Sequence, residues 1–291
     1  MQNIGRLGVW YPTQRFAPDA LARFCQRVEA LGYSTLWYPE STGYEALSQG
    51  AFMLCSTKTL LVGSSIANIY ARDAFTSRQG QVTLQAISGD RFILGLGVSH
   101  VPMVETLRGH AYGKPVATMR GYLERVRGDG APLWSPERTT VIAALGPRML
   151  ELAAELTRGA IPYNVTPEHT RAARAALGQD RWLCVEQMVC LERDPAKARA
   201  VAAKELARYL TLDNYRNNWF RFGFSPQDAE NGGSTRLLDA MIAWGDEQAI
   251  GRRVQEHFDA GANHVCIQPI HADGDTAALD RTLAALAPKA A

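Results

Sequence analysis

What most constrains this 291-residue chain is a repeated beat of short β-branched runs and longer amphipathic runs, kept from one end to the other. Arg6–Trp10, Ser34–Tyr38, Leu60–Ile69, Arg91–Leu96, Thr140–Leu145, Gly159–Pro162, Trp182–Leu191 and His264–Ile267 read as strands. In Pro18–Leu31 the residues Leu21, Phe24, Cys25, Val28 and Leu31 recur at helical spacing, with Pro18 in the first turn and Gly32 just past the end. Helices are likewise expected over Ala74–Ile87, Pro115–Val126, Pro147–Leu156, Pro167–Leu177, Pro195–Leu210, Glu247–Ala260 and Thr276–Leu286. Strand, crossover helix and strand make a parallel sheet, and eight such units close into a (β/α)8, or TIM, barrel of the α/β class. The alternative is a doubly wound open sheet. That fold would usually carry a GxGxxG turn after its first strand, and this chain has none there.

With 46% hydrophobic and 21% charged residues, the chain can bury one large core, so residues 1–291 are expected to form one domain. One stretch breaks the beat. Thr211–Gly233 carries Asn214, Tyr215, Asn217, Asn218, Trp219, Phe222 and Phe224 before the last βα unit. So aromatic an insertion is a lid over the barrel or a dimer surface. A shorter Gly/Pro-bearing loop is expected over Gly128–Pro136.

The net charge of +2 and the dispersed basic residues give no reason to expect nucleic acid or a membrane surface as partner. There is no apolar run of spanning length and no apolar leader, which reads as a cytoplasmic protein. The five cysteines include no CxxC pair and stand in apolar surroundings, so buried reduced thiols are expected. His264 and His271 are too far apart for a metal pair, and no HxH or HExxH spacing occurs, so no metal is expected. The chain has no GxSxG elbow, and Glu40 is the one acid placed at a strand end, which argues against a serine hydrolase and a glycosidase.

Barrels carry their chemistry at the C-terminal ends of strands and in the loops that follow. That rule selects Glu40 and Ser41 after the second strand, Asn68 and Tyr70 after the third, and Ser99 and His100 after the fourth. It also selects Gly146 after the fifth strand and Tyr163, Asn164 and Thr166 after the sixth. Ala144-Leu145-Gly146 and Asn164-Val165-Thr166 each lead into a proline-initiated helix, whose free N–H groups favour an anion. The bland reading of both is ordinary helix capping. His100 follows Gly97-Val98, which leave the backbone room for a flat ring, and an unperturbed histidine titrates near 6.5. It is read as a proton carrier or as a polar loop residue. Glu40 is read as a proton relay or as a salt-bridged rim carboxylate. Arg72 and Asp73 are expected to cap the following helix, and His110 and Tyr112 to form pocket wall or interface.

Gly63–Asp73 (GSSIANIYARD), Gly89–His100 (GDRFILGLGVSH), Ala143–Glu155 (AALGPRMLELAAE) and Ile161–Thr170 (IPYNVTPEHT) together resemble the luciferase-like monooxygenase superfamily. Within it they are similar to an actinobacterial coenzyme F420-dependent oxidoreductase group, as are Asn214–Asn218, Trp244–Ile250 and Ala260–Gln268. The resemblance covers essentially the whole chain in matching order. It implies a luciferase-like barrel and a bulge with a non-prolyl cis bond at Ser65-Ile66 that backs a tricyclic ring. It also implies that the two helix-leading loops hold the cofactor phosphate. Some deazaflavin enzymes of the group have a lysine in the second loop, where this chain has none; its nearest cations are His169 and Arg171.

The reaction so implied is hydride transfer between coenzyme F420 and a small organic substrate. His100 together with Glu40 would move the proton, and Ser65, Ile66, Asn68, Gly97, Val98, Ser99, Tyr163 and the phosphate loops would hold the cofactor. Trp10, Tyr44, Tyr163 and Trp219 suggest an apolar mouth. A homodimer is implied by the group. The same pocket with FMN would serve a monooxygenase, and a barrel that only binds a ligand is the reading outside enzymology.

Overall fold

The structure, a computed structural model, describes residues 3–128 and 139–289. The strands are β1 (Leu7–Trp10), β2 (Thr35–Tyr38), β3 (Leu61–Ser64), β4 (Ala67–Asn68), β5 (Phe92–Gly97), β6 (Thr140–Ile142), β7 (Gly159–Ala160), β8 (Trp182–Cys190), β9 (Ile242–Trp244) and β10 (His264–Pro269). They pair in parallel, and β10 joins both β8 and β1, which closes a ring of eight staves. The open sheet is thereby excluded. Around the ring lie α1 (Pro18–Ala30), α2 (Ala46–Cys55), α3 (Ala74–Ser88), α4 (Pro115–Arg127), α5 (Pro147–Leu156), α6 (Pro167–Leu177), α7 (Pro195–Leu206), α10 (Glu247–Asp259) and α11 (Ala278–Ala285). Between α7 and β9 come α8 (Asp213–Arg221) and α9 (Thr235–Met241).

Strand alternation sorts the core into two layers. Val9, Leu36, Val62, Leu94, Ile142, Leu183, Val185 and Val265 face the helices and join one large cluster with them. Trp10, Trp37, Leu61, Ile93, Val141, Trp182, Cys184 and Cys266 fill the inside of the ring. Filling it needs glycines opposite the large rings. A Cβ on Gly63 would stand 2.4 Å from the Trp37 ring, so this stave can carry no side chain there. His264 closes the floor: Trp37 Nε1 donates to its Nε2 at 3.1 Å, and its Nδ1 therefore donates to Gly5 O at 3.0 Å.

The bulge implied at Ser65-Ile66 is present: the third stave is two pieces, because Ser65 and Ile66 leave the ladder between β3 and β4, and their peptide is cis. Three other expectations change. α7 ends at Leu206 rather than Leu210, where a separate 3-10 turn runs over Tyr209–Thr211. A ninth short pairing, β9 on the end of β8, lies outside the ring and was masked in the sequence by its three-residue length. It takes the edge of β8 opposite β10, since both pair with Met188 and Val189. The loop expected at Gly128–Pro136 falls, beyond Gly128, outside the described residues. Of the cysteines, Cys25, Cys184, Cys190 and Cys266 are buried, but Cys55 at the end of α2 is exposed. Among the described residues no helix is long and apolar enough to cross a membrane, and no cluster of metal-binding side chains occurs.

Candidate active site at the barrel mouth

The C-terminal ends of the staves bring most of the sequence candidates to one rim. Ser65, Ile66, Val98, Ser99, His100, Leu145, Gly146 and Tyr163 all keep partial exposure there, whereas the strand residues beneath them are buried. Ser65 is fixed by Trp10, whose Nε1 donates to Ser65 Oγ at 3.0 Å. Ile66 points at β5, where a Cβ on Gly97 would lie 2.4 Å from Ile66 Cγ1. Glycine at position 97 thus makes room for Ile66. Gly97 acts on the rim through Ile66.

After β5 the chain turns at Ser99, which holds φ at 57°, a left-handed backbone that non-glycine residues seldom adopt. Tyr112 OH donates to Ser99 O at 3.2 Å and stacks on Tyr70 with centroids 5.9 Å apart, so Tyr70 and Tyr112 are the wall behind this turn. His100 lies next, 5.9 Å from the Tyr215 ring. Burial, helped by the positive charge of Arg208, lowers its pKa to about 4. It is a neutral imidazole at neutral pH. At neutral pH it is therefore ready to accept a proton and is not an imidazolium acid.

Glu40 takes the salt-bridged reading. It is paired with Arg72 through both oxygens, and Oε2 also accepts from Asn68 N at 2.7 Å. Side-chain exposure is 4% for Glu40 and 7% for Arg72. Arg72 also reaches Glu45, so it ties three loops instead of capping α3; Asp73 does cap that helix, accepting from Thr76 N. Asn68 is buried and spends its Oδ1 on Tyr70 N at 2.9 Å.

The two helix-leading loops face the same rim. Gly146 is the N-cap of α5 and Thr166 that of α6, each followed by proline, so first-turn N–H groups lack helical partners. A Cβ added to Gly146 would meet nothing within 4 Å, so the backbone there borders open space. Ala144 and Val165 are buried beneath these loops. His169 links them, its Nε2 donating to Leu145 O at 2.9 Å. Burial lowers its pKa to about 4, so His169 supplies no positive charge. Arg171 is exposed on α6.

The insertion turns its rings inward. Tyr215 and Trp219 are buried, packing with Met188, Cys190 and β9, and Trp219 Nε1 donates to Asn164 O at 3.0 Å. Tyr163 links this layer to the ring: its hydroxyl donates to Gln268 Oε1 at 2.8 Å and meets Tyr209 OH at 3.0 Å, and its ring lies 5.2 Å from Trp10. Tyr44 stays apart, exposed and bonded to Phe16 O, so it is not in this aromatic cluster.

Sequence reading passed over Glu186. It lies on β8 in the inward parity of Trp182 and Cys184, and burial pushes its carboxyl up to about 8, against the lowering effect of Asn164 N–H. A lone charged residue inside the apolar run WLCVEQMVC was the available signal.

A model of the luciferase-like monooxygenase family matches residues 4–264. A Mycobacterium tuberculosis protein named as a coenzyme F420-dependent oxidoreductase is 26% identical over 249 residues, covering 70% of this chain and 71% of its own. Among solved structures, an F420-dependent secondary alcohol dehydrogenase in complex with an F420-acetone adduct superposes with TM-score 0.72 at 13% identity, covering 98% of this chain and 99% of its own. The oxygenating constituent of 3,6-diketocamphane monooxygenase from Pseudomonas putida, in complex with FMN, gives TM-score 0.68 at 12% identity and 97% coverage of each chain. At these identities the structural matches establish the closed barrel. With the family match spanning most of its length, the chain belongs to the luciferase-like monooxygenase family.

Proposed function

We propose that this chain is an oxidoreductase that uses coenzyme F420, a deazaflavin, to move a hydride to or from a small organic substrate. The names of its relatives support F420. The observation that carries the reading lies just beneath the rim: Asn164 is buried with both side-chain polar atoms unpartnered, and the N-terminus of α5 at Gly146 borders open space. A planar heterocycle with a phosphate-bearing tail fits that donor set. When bound, it would give or take the hydride.

The chain supplies placement and the proton. Backbone N–H groups after Leu145-Gly146 and Val165-Thr166 hold the phosphate, with Ala144 beneath them. Ser65 and Ile66 back the ring, Asn68 and Gly97 fix that bulge, and Val98 and Ser99 line its edge. Tyr163 closes the inner side. Neutral His100 accepts a proton from a substrate hydroxyl as the hydride leaves, and returns it in the reverse direction. Glu40 acts through Arg72 and Asn68 and touches no reacting atom. FMN is the second reading, favoured by the FMN-bound neighbour of the same fold.

The test separates chemistry from binding. Wild type and His100→Ala are assayed anaerobically for F420 reduction with a panel of small secondary alcohols. We expect kcat to fall about 100-fold or more, the usual worth of a positioned base, with the Kd for F420 within about threefold. Unchanged turnover in the variant removes His100 from the reaction.

A further inference from the structure

The inside of the ring holds one acid without a cation. Glu186 is 1% exposed, and no basic side chain among the described residues pairs with it. Oε2 accepts from Asn164 N at 3.1 Å, while Oε1 has no partner. Asn164 is 2% exposed, and its Nδ2 and Oδ1 are unpartnered too. The chain also holds Asn164 at φ 55°, a conformation fixed by two bonds: its N–H to Glu186 and its carbonyl to Trp219. Three unmet hydrogen-bonding atoms on two fully buried residues joined by a hydrogen bond are costly unless a ligand or buried water completes them.

The titratable groups that interact with Glu186 are Tyr163, Tyr209, Tyr215 and Cys266. Burial raises all four, so at neutral pH each is uncharged. None offers Glu186 a positive charge. The carboxyl therefore keeps its proton at neutral pH, burial having pushed it up to about 8. Since Oε2 is the accepting oxygen, the proton resides on Oε1.

We infer that Glu186 and Asn164 form a polar socket inside the barrel that takes a neutral carbonyl-bearing group of the bound ligand, with Glu186 Oε1 and Asn164 Nδ2 donating and Asn164 Oδ1 accepting. Which molecule carries that group rests on the proposed function. On that reading the pyrimidinedione edge of a deazaflavin or a flavin presents the complementary acceptor, donor and acceptor. A substrate carbonyl offers an acceptor to the two donors but no donor for Oδ1, and the arms of the test separate the two.

The first measurement is made on the ligand-free whole chain. Infrared spectra of wild type and Glu186→Gln should show a protonated-carboxyl band at pH 7 that the variant lacks and that fades as pH rises through about 8. A carboxylate signal at pH 7 overturns the inference. The second measurement titrates wild type, Glu186→Gln, Glu186→Leu and Asn164→Gly with F420 and with FMN, after circular dichroism confirms that each is folded. Glycine keeps the left-handed backbone while removing the amide. Glutamine keeps a donor and should bind within about threefold, while leucine and glycine should each lose about tenfold or more. Unchanged cofactor affinity with a raised substrate KM assigns the socket to the substrate carbonyl. Unchanged affinity and unchanged KM in both Glu186→Leu and Asn164→Gly overturn it. If wild type binds neither F420 nor FMN, the proposed function fails, and the infrared band still decides the state of Glu186.

Discussion

Replacing Arg72 by methionine isolates what Glu40 does. In the folded chain both Glu40 oxygens touch the guanidinium, and the two side chains are 4% and 7% exposed. Arg72→Met leaves a buried carboxylate with only the backbone N–H of Asn68 at 2.7 Å and a long contact from Ala46 N at 3.5 Å. Stranding one member of a buried pair costs about 3–5 kcal/mol. Methionine keeps most of the apolar stem, so packing contributes little to the loss. The loss of Arg72 from the 46% exposed Glu45 adds little, because exposed pairs are worth under about 1 kcal/mol. Urea denaturation at pH 7 reads the change as a fall in midpoint at constant slope. The double variant Glu40→Leu/Arg72→Met should recover most of the stability, since neither charge is then stranded. It should also turn over F420 within about tenfold of wild type, as expected for a positioning pair. A single variant costing under about 1 kcal/mol would refute the ion-pair account. So would a double variant that is stable but inactive, because Glu40 would then be moving protons.

Two further outcomes concern pH. If His100 is the base, its burial, which lowers its pKa to about 4, predicts that kcat/KM rises with pH through about 4 and is flat from 6 to 7.5; a rise centred near 6.5 contradicts that role in its buried setting. Stability should peak near pH 6.5. Burial lowers His169 and His264 to about 4 and His257 to about 3, so between there and 6.5 the unfolded chain binds protons that the folded chain does not, and stability falls as pH drops. Glu186 acts oppositely: from 4.5 to about 8 the folded chain holds the extra proton, so stability falls as pH rises, by ~1.4 kcal/mol per pH unit above 6.5. Urea midpoints from pH 4.5 to 8.5 check both limbs, and Glu186→Gln should flatten the alkaline limb and steepen the acid one.

The staves were legible because inward and outward parity is written in the residues themselves. Val9, Leu36 and Leu94 alternate with Trp10, Trp37 and Ile93, and tertiary structure has no reason to override them. What failed to show was pairing across the ring. Arg72 reads as a helix-capping residue until the fold brings it to Glu40, 32 positions earlier. His169 reads as a cation until its burial is known, and Tyr44 as mouth until Phe16 claims its hydroxyl. Gly97 reads as room for a flat ring, and only the fold shows that it also makes room for Ile66. Glu186 was the opposite case. The parity of Trp182, Cys184 and Glu186 could have placed it inside the barrel, but an apolar strand invites the eye to pass over one charge.

The central claim is that this mouth holds a deazaflavin in preference to a flavin. Anaerobic equilibrium titration of the wild-type chain, followed by absorbance and quenching of the tryptophans nearest the rim, measures it directly. We expect saturable 1:1 binding of F420, at least tenfold tighter than FMN, with quenching of Trp10 lost in Trp10→Phe. Tighter binding of FMN, or saturation by neither, would contradict it.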